Sequence, residues 1–466
     1  MLTKKPHLLS SKELLFFGLT ILLSIALLGC ESRLSQLEQI KRGGELRVIT
    51  HNSATTYYES HDGYAGLEYD MALLFAQRLG IKLHMVIANH FADIIPLIQQ
   101  GKADFAAAGL AITEQHQKQV LFSSSYQSIS PQLVYRAGNT RPQELNRLDG
   151  TLEIISNGNY IDRLQHLQQE YINLNWQENS ELSSEELLRM VWEEVIDYTV
   201  ADSNEVAINR RYYPELRVAQ EIGAPQYLAW AFAKTDDLSL YNEVQSFFHD
   251  IKENGTLEHL IERYYGHVQK FDYVNTRRYL NHIDKRLPKY EAIFKQASLD
   301  SAIDWRLLAA MGYQESHWNP NARSPTGVRG IMMLTLNTTR ELGLDNRLDP
   351  VQSIHGGLRY LEKIRARIPA RVNEPDRTWM ALTAYNIGYG HLEDARIIAL
   401  QNGDNPDYWV NIKKSLPLLS QKKWYRQLRH GYARGHEALQ YVENIRSYYD
   451  ILVRKTDEKT ATASAL

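Results

Sequence analysis

The sequence predicts a multidomain chain in which an α/β region is followed by a mainly α region. Three observations carry this reading. At 466 residues the chain exceeds what one hydrophobic core fills. Strand-like and helix-like apolar periods alternate as far as about Gly266, and from about Asn281 onward nearly every segment has helical spacing. The 52 Lys and Arg are nearly balanced by 55 Asp and Glu, which is the charge pattern of an ordinary globular protein and leaves no basic field calling for a nucleic-acid partner.

The N-terminus comes first. Lys4, Lys5 and Lys12 precede "LLFFGLTILLSIALLG", a run shorter than the ~20 residues of a membrane span but fitting the hydrophobic segment of a secretory signal. Residues 1–30 are therefore read as a signal peptide, residues 31–45 as a linker, and the chain as exported. Cys30 is the only cysteine, so no intrachain disulfide can form and stability must come from the cores. Its setting, "LLGC", resembles the lipobox of bacterial lipoproteins, which makes Cys30 a candidate lipidation site. A signal cut nearby, or an uncleaved anchor, are the alternatives.

From "GGELRVIT" onward, Leu46 and Val48 alternate with polar neighbours, "YDMALLFAQRLG" has a helical apolar stripe closed by Gly80, and "IKLHMVI" returns to period two. A helix in "FADIIPLIQQG" ends at Gly101, and "KADFAAAG" reads as a strand entering a loop. This βαβ grammar predicts an α/β domain over residues 46–266 built on parallel sheets, with ligands beyond the carboxyl ends of its strands. Residues 267–289 are densely charged and read as a linker; residues 290–453 read as a mainly α domain. The polar tail, residues 454–466, reads as frayed and disordered.

The stretch "MGYQESHWNP", Met311 to Pro320, sets Glu315 at the end of an apolar helix. Leu308 and Met311 lie seven and four residues before it, so all three share one face. A carboxyl group there loses water, which raises its pKa and lets it hold a proton near neutral pH, as a general acid must. A structural glutamate satisfied by an arginine is the competing reading. Other chemistries find no support: the 16 histidines show no zinc-type pair, there is no Walker loop, and "GYGHLE" lacks the preceding strand of a dinucleotide turn. No metal and no cofactor are expected.

Two resemblances refine this. "GLEYDMALLFAQRLG", "LIQQGKADFAAAGLAIT", "VLFSSSYQ" and "VIDYTVADSNEVA" resemble, in order, the extracellular solute-binding domain of amino-acid transporters, a two-lobed periplasmic-binding-protein-like clamp. The resemblance implies a ligand site using Gly109, His116 and Asp202. In that family a threonine and an arginine grip the ligand carboxylate; here Ala111 and His116 stand in their places, and neither reproduces a bidentate guanidinium. The expected ligand is therefore another small molecule, such as a wall-derived peptide, or the clamp is an inert spacer.

"YQESHW", "SPTGVRGIMMLT", "LTAYNIGYGH" and "YVENIRSYYDIL" resemble, in order, the lysozyme-like domain of lytic murein transglycosylases. That resemblance implies cleavage of the MurNAc-GlcNAc bond of peptidoglycan strands with 1,6-anhydro-MurNAc ends, and one catalytic carboxylate, Glu315, in place of the usual glycosidase pair. It further implies that Ser316 orients the acid or substrate, that Met332 packs under a sugar ring, that Tyr385 and Asn386 line the cleft, and that Tyr441 reaches Glu315 or the N-acetyl group. Met333, where many relatives carry glutamine, makes a polar sugar contact there unexpected. His317 and Trp318 read as structural, and Glu393 and Glu443 as non-catalytic, Glu393 on a solvated helix face. The implied location is the periplasmic face of the outer membrane. A periplasmic solute- or glycan-binding protein without lytic activity is the alternative.

Overall fold

The computed structural model describes residues 34–60, 63–268, 273–324 and 327–464. The signal segment and Cys30 lie outside the described residues. Among those residues no helix is long and apolar enough to cross a membrane.

The segment expected to be a linker at residues 31–45 contains helix α1 (Gln36–Gly43). Ser35 and Glu38 form a reciprocal capping box at its start, and Gly44 ends it in the left-handed conformation. The first lobe of the α/β region follows. Strand β1 (Glu45–His51) pairs in parallel with β2 (Lys82–Ala88) and β3 (Phe105–Ala106). Strand β4 (Val120–Phe122) closes the other edge, and β8 (Ala231–Ala233), arriving from much later in the chain, inserts antiparallel between β3 and β4. The second lobe uses the intervening chain: β6 (Thr199–Asp202) and β7 (Leu216–Glu221) both run antiparallel to the central β5 (Pro131–Arg136). The expectation of parallel sheets thus holds for one edge of the first lobe and fails for the second lobe's main sheet. Short strands such as these carry apolar period two in either orientation, so the pattern does not fix direction. Each lobe has its own buried cluster, around Phe75, Phe105 and Trp230 in the first and around Leu164, Leu187 and Val200 in the second.

Helix α2 (Thr256–Tyr265) ends the first lobe, and the helical region begins earlier than its charge pattern indicated. Residues 273–289, expected to be linker, include α3 (Tyr273–Lys285), whose Tyr279 and Ile283 enter the core of the helical region. Tyr279 stands 4.5 Å from both Tyr313 and Tyr448, ring centre to ring centre. The charges that suggested a linker occupy the solvent face of an amphipathic helix.

At the centre lies α4 (Trp305–Ser316). Asp304 caps it by accepting from the Arg306 backbone N–H at 2.8 Å, and its residues from Arg306 to Tyr313 are all buried. Helix α4 packs against the 30-residue α8 (Gly435–Ser464); α5 (Asp376–Ile387) packs on α8 in turn, and α6 (Tyr389–Gln401) and α7 (Trp409–Ser415) pack on α5 and on each other. The tail expected to be disordered from residue 454 is, through Ser464, the last turns of α8. Its polar composition hid two anchors: Arg454 pairs with Glu185 in the second lobe, and Asp457 accepts from Arg306 at 3.0 Å.

Candidate active site and clamp

Glu315 sits one residue before the end of α4, and the chain turns there with unusual sharpness. His317 and Trp318 both adopt left-handed conformations, with φ of 52° and 56°, which costs bulky residues energy. The turn is held by burial. The Trp318 indole is 1% exposed and donates to the Ala309 carbonyl at 2.8 Å, and the His317 N–H donates to Tyr313 at 2.7 Å.

The Glu315 carboxylate is half-buried, and Oε1 accepts from the Tyr441 hydroxyl at 2.6 Å. Burial pushes the Glu315 pKa up to about 7, with the Tyr441 hydrogen bond pulling the other way. Burial likewise raises the Tyr441 and Tyr385 phenols well above their usual range, with the Glu315 charge adding to both. The carboxyl therefore faces two phenols that stay neutral, and it is poised to exchange a proton near pH 7.

The other sequence-predicted residues fall into two groups. Tyr385 stands beside this carboxyl, and its hydroxyl donates to the Met332 carbonyl at 2.9 Å; Asn386, next to it, is exposed at the end of α5. Ser316 and Met332 do not face the cleft. The Ser316 hydroxyl is turned to the Ile331 carbonyl at 2.8 Å, with the Gly312 carbonyl at 3.2 Å, so it ties the loop to the helix and leaves the acid alone. Met332, expected under a sugar ring, is fully buried; a Cβ on Gly357 would come within 2.7 Å of its Cγ, which is why the helix Pro350–Arg367 needs glycine there. An alternating reading of "GIMML" cannot say which methionine faces inward, because the loop reverses at Met333 (φ 46°).

Neither competing glutamate is placed for chemistry. Glu393 accepts from Arg396 at 3.0 Å and is half-buried rather than on a fully solvated face. Glu443 is buried and paired with Lys413 at 2.6 Å. Among the described residues no group of three or more His, Cys, Asp or Glu is placed to hold a metal ion.

In the clamp, two residues that sequence reasoning missed hold the interlobe site. Asn159 of the second lobe accepts from the Ala111 N–H at 2.9 Å and donates to the Gly109 carbonyl at 3.0 Å and to Asp202 at 2.8 Å. Its amide thus links both lobes and fills the space between Gly109 and Asp202, leaving a void of about 20 Å³. Nothing in "SNGNYI" distinguishes this asparagine from an ordinary turn residue. Glu68, in the helix Leu67–Leu79, is fully buried beneath Gly109: it accepts from the Gly109 N–H at 2.9 Å, from Trp230 Nε1 at 2.7 Å and from the Tyr126 hydroxyl. A lone glutamate on an apolar helix face was the available signal, the same one that marks Glu315. His116 is not brought to Asp202; its ring lies 3.1 Å from the Ala111 carbonyl and is buried there. A larger cavity of about 370 Å³ opens beside the Asn159 contacts, lined by His51, Phe91, Ser183, Glu205 and, from α8, Arg454.

Helix α8 spans both regions. Beyond Tyr441 it places Arg446 on Glu262 of α2 at 2.8 Å, and Asp450 against Arg211 and against His267 Nε2 at 2.6 Å.

Comparison with known proteins places this geometry. Residues 46–267 match the family described as bacterial extracellular solute-binding proteins, family 3, and residues 292–405 match the transglycosylase SLT domain. Membrane-bound lytic murein transglycosylase F 1 of Alkalilimnicola ehrlichii is 52% identical over 90% of this chain and 86% of its own length. Proteins named membrane-bound lytic murein transglycosylase F from Saccharophagus degradans and Pseudomonas fluorescens are 46% and 45% identical, over 94% and 95% of this chain and 88% and 90% of theirs.

Proposed function

The chain belongs to the membrane-bound lytic murein transglycosylase F family, and from that premise we propose that Glu315 alone carries both proton transfers of murein cleavage. The enzyme is a lytic transglycosylase acting on peptidoglycan, with a solute-binding module ahead of its SLT domain. In the first step the Glu315 carboxyl gives its proton to the oxygen joining MurNAc C1 to GlcNAc, and that C1–O bond breaks. The carbonyl oxygen of the muramyl N-acetyl group steadies the positive charge developing at C1. In the second step the C6 hydroxyl attacks C1, and its proton returns to Glu315. Atoms balance without water, the MurNAc end closes as a 1,6-anhydro ring, and the carboxyl is regenerated.

The single observation supporting this reading is the Glu315–Tyr441 hydrogen bond on a carboxyl raised to about 7. A carboxyl so placed is protonated often enough to act as acid, and its anion retains a donor when it acts as base. Tyr385 and Asn386 line the cleft, while Ser316 and Met332 serve by fixing the loop on which Tyr385 rests.

Residues 46–266 act as a small-ligand module, taking a wall-derived peptide or similar ligand in the cavity beside Asn159. Residues 267–453, continued by the end of α8, form the catalytic part. Attachment through lipidated Cys30 to the periplasmic face of the outer membrane is the location that fits an exported chain with a membrane-bound family name.

The test is digestion of purified sacculi followed by mass spectrometry. Anhydro-muropeptides should appear with the wild-type chain and vanish with Glu315→Gln. Reducing-end muropeptides instead would make the protein a hydrolase, and undigested glycan would leave it a binding protein.

A further inference from the structure

Between Leu419 and Ala433 the chain leaves the helical region and returns to its starting point, the Ala433 N–H donating to the Leu419 carbonyl at 3.2 Å. The loop is folded on itself. Trp424 and Leu428 pack against the core, and the rings of Tyr425 and Tyr432 meet edge to face at 5.7 Å. Its charge is one-sided: Lys422, Lys423, Arg426 and Arg429 are exposed, and no Asp or Glu occurs between Leu419 and His436 in a chain whose net charge is −3. Among the described residues, none of these four cations is in an ion pair, although Lys423 lies over the Trp424 ring at 5.1 Å. Arg434, just beyond, does pair with Glu437 at 3.3 Å. Four like charges held close without counterions are self-repulsive, and a polyanion relieves that.

The loop also has a definite address. His430 donates its backbone N–H to Asp394 of α6 at 3.1 Å, and its ring lies so close to Gly390 that a Cβ there would come within 2.6 Å of Nδ1. Gly390 is four residues beyond Asn386. On its other side the loop runs directly into α8, which carries Tyr441 to Glu315. The cationic loop is therefore rooted between α6, which follows directly on the end of α5 that carries Asn386, and α8, which carries Tyr441.

We propose that the Leu419–Ala433 loop is a cationic docking rim that binds the free carboxylates of the peptide stems carried by the glycan strand. This rests on the lytic reading above. A strand in the cleft presents a stem on each muramyl residue, and its carboxylates are the anions available beside the scissile bond. The rim favours strands that still carry stems over strands stripped of them, and the preference weakens as salt screens the charges.

The experiment compares kcat/KM of the full chain on peptide-bearing sacculi and on glycan strands freed of peptides by an amidase. In the quadruple variant Lys422→Glu, Lys423→Glu, Arg426→Glu and Arg429→Glu, turnover of peptide-bearing strands should fall about tenfold, the sum expected of four exposed pairs, with turnover of stripped strands unchanged. The four-site Gln variant should show a smaller loss of the same kind, which guards against misfolding of the reversed one. Equal loss on both substrates, or no loss on either, overturns the proposal. Loss of binding to vesicles containing phosphatidylglycerol with sacculus turnover intact also overturns it, marking the loop as a lipid contact. If the wild-type chain makes no anhydro product from either substrate, the lytic reading itself fails, a result unlike any of these.

Discussion

The Tyr441 hydroxyl donates to Glu315 Oε1 at 2.6 Å, and it favours the carboxylate over the carboxylic acid. Its removal should therefore act on the first half of the reaction, where the carboxyl must give up its proton and become the anion. Hydrogen bonds to charged groups contribute ~1.5–3 kcal/mol, so Tyr441→Phe should lower kcat by about tenfold to a hundredfold. Because burial is then unopposed, the Glu315 pKa should rise above about 7. The kcat–pH profile measured by release of anhydro-muropeptides should show its alkaline limb displaced upward. An unchanged limb would place Tyr441 with the core packing that its neighbours Ile445 and Tyr448 provide.

Glu315 also makes a stability prediction with a definite sign. Its pKa is raised from 4.5 to about 7 by burial, so the folded state binds more protons than the unfolded chain between those values. Its contribution is fully present below about pH 4.5 and is lost as pH rises through about 7. Glu315→Gln, which cannot ionise, should remove that slope and raise stability at neutral pH by up to ~3 kcal/mol, less where water screens the group. Urea unfolding at pH 4.5 and at pH 8 tests this. The two proteins should differ little at the first and clearly at the second. The same change should abolish lysis, so stability and activity move in opposite directions at one position.

How far the sequence could be read follows from the same residues. Glu315 was legible because a carboxyl at the end of an apolar stripe is chemically odd, and Tyr441 because it lies on a helical stripe within a recognisable motif. The division into an α/β and a helical region followed from a change of apolar period near the boundary. Asn159 was illegible, because its role arises from partners distant in sequence, Gly109 and Ala111 in the first lobe and Asp202 in the second, that come together only in the folded clamp. The helix through residues 273–285 and the end of α8 were misread for one reason: each has a charged or polar face, and composition alone does not show that Tyr279, or the heads of Arg454 and Asp457, have partners distant in sequence. Met332 and Ser316 lay in the right motif, but a loop with a left-handed residue gives no period from which to read direction.

Asn159 predicts a clamp that can be opened by one atom exchange. Asn159→Asp replaces the amide that donates across the lobes to the Gly109 carbonyl, and within the second lobe to Asp202, with a second carboxylate that repels the Gly109 carbonyl oxygen and shares a buried site with Asp202. Asp202 is already raised to about 6 by burial, the Asn159 hydrogen bond being what lowers it. The variant should be open at neutral pH, where both groups are ionised, and should reclose as the pH falls and one carboxyl takes a proton. Small-angle scattering at pH 7.5 and pH 5 measures this. A larger radius of gyration at the higher pH is expected for the variant, and no such change for wild type.

The Asp450 contact with Arg211 and His267 predicts how firmly the catalytic helix holds the clamp. Arg211 is buried, and Asp450 is the carboxylate that faces it, with its pKa held well below the usual range by Arg211 and His267 against the cost of burial. His267, with a pKa lowered to about 3 chiefly by burial, is neutral at working pH and adds a hydrogen bond rather than a charge. Asp450→Asn therefore leaves the Arg211 guanidinium buried without its anion, a change that costs ~3–5 kcal/mol. The loss should appear as a lower thermal midpoint and as faster amide exchange across α2 and the second half of α8. Pairing Asp450→Asn with Arg211→Met, which removes the stranded charge, should recover most of the lost stability. Failure of the double variant to recover it would mean that the aspartate stabilises α8 by some route other than this ion pair.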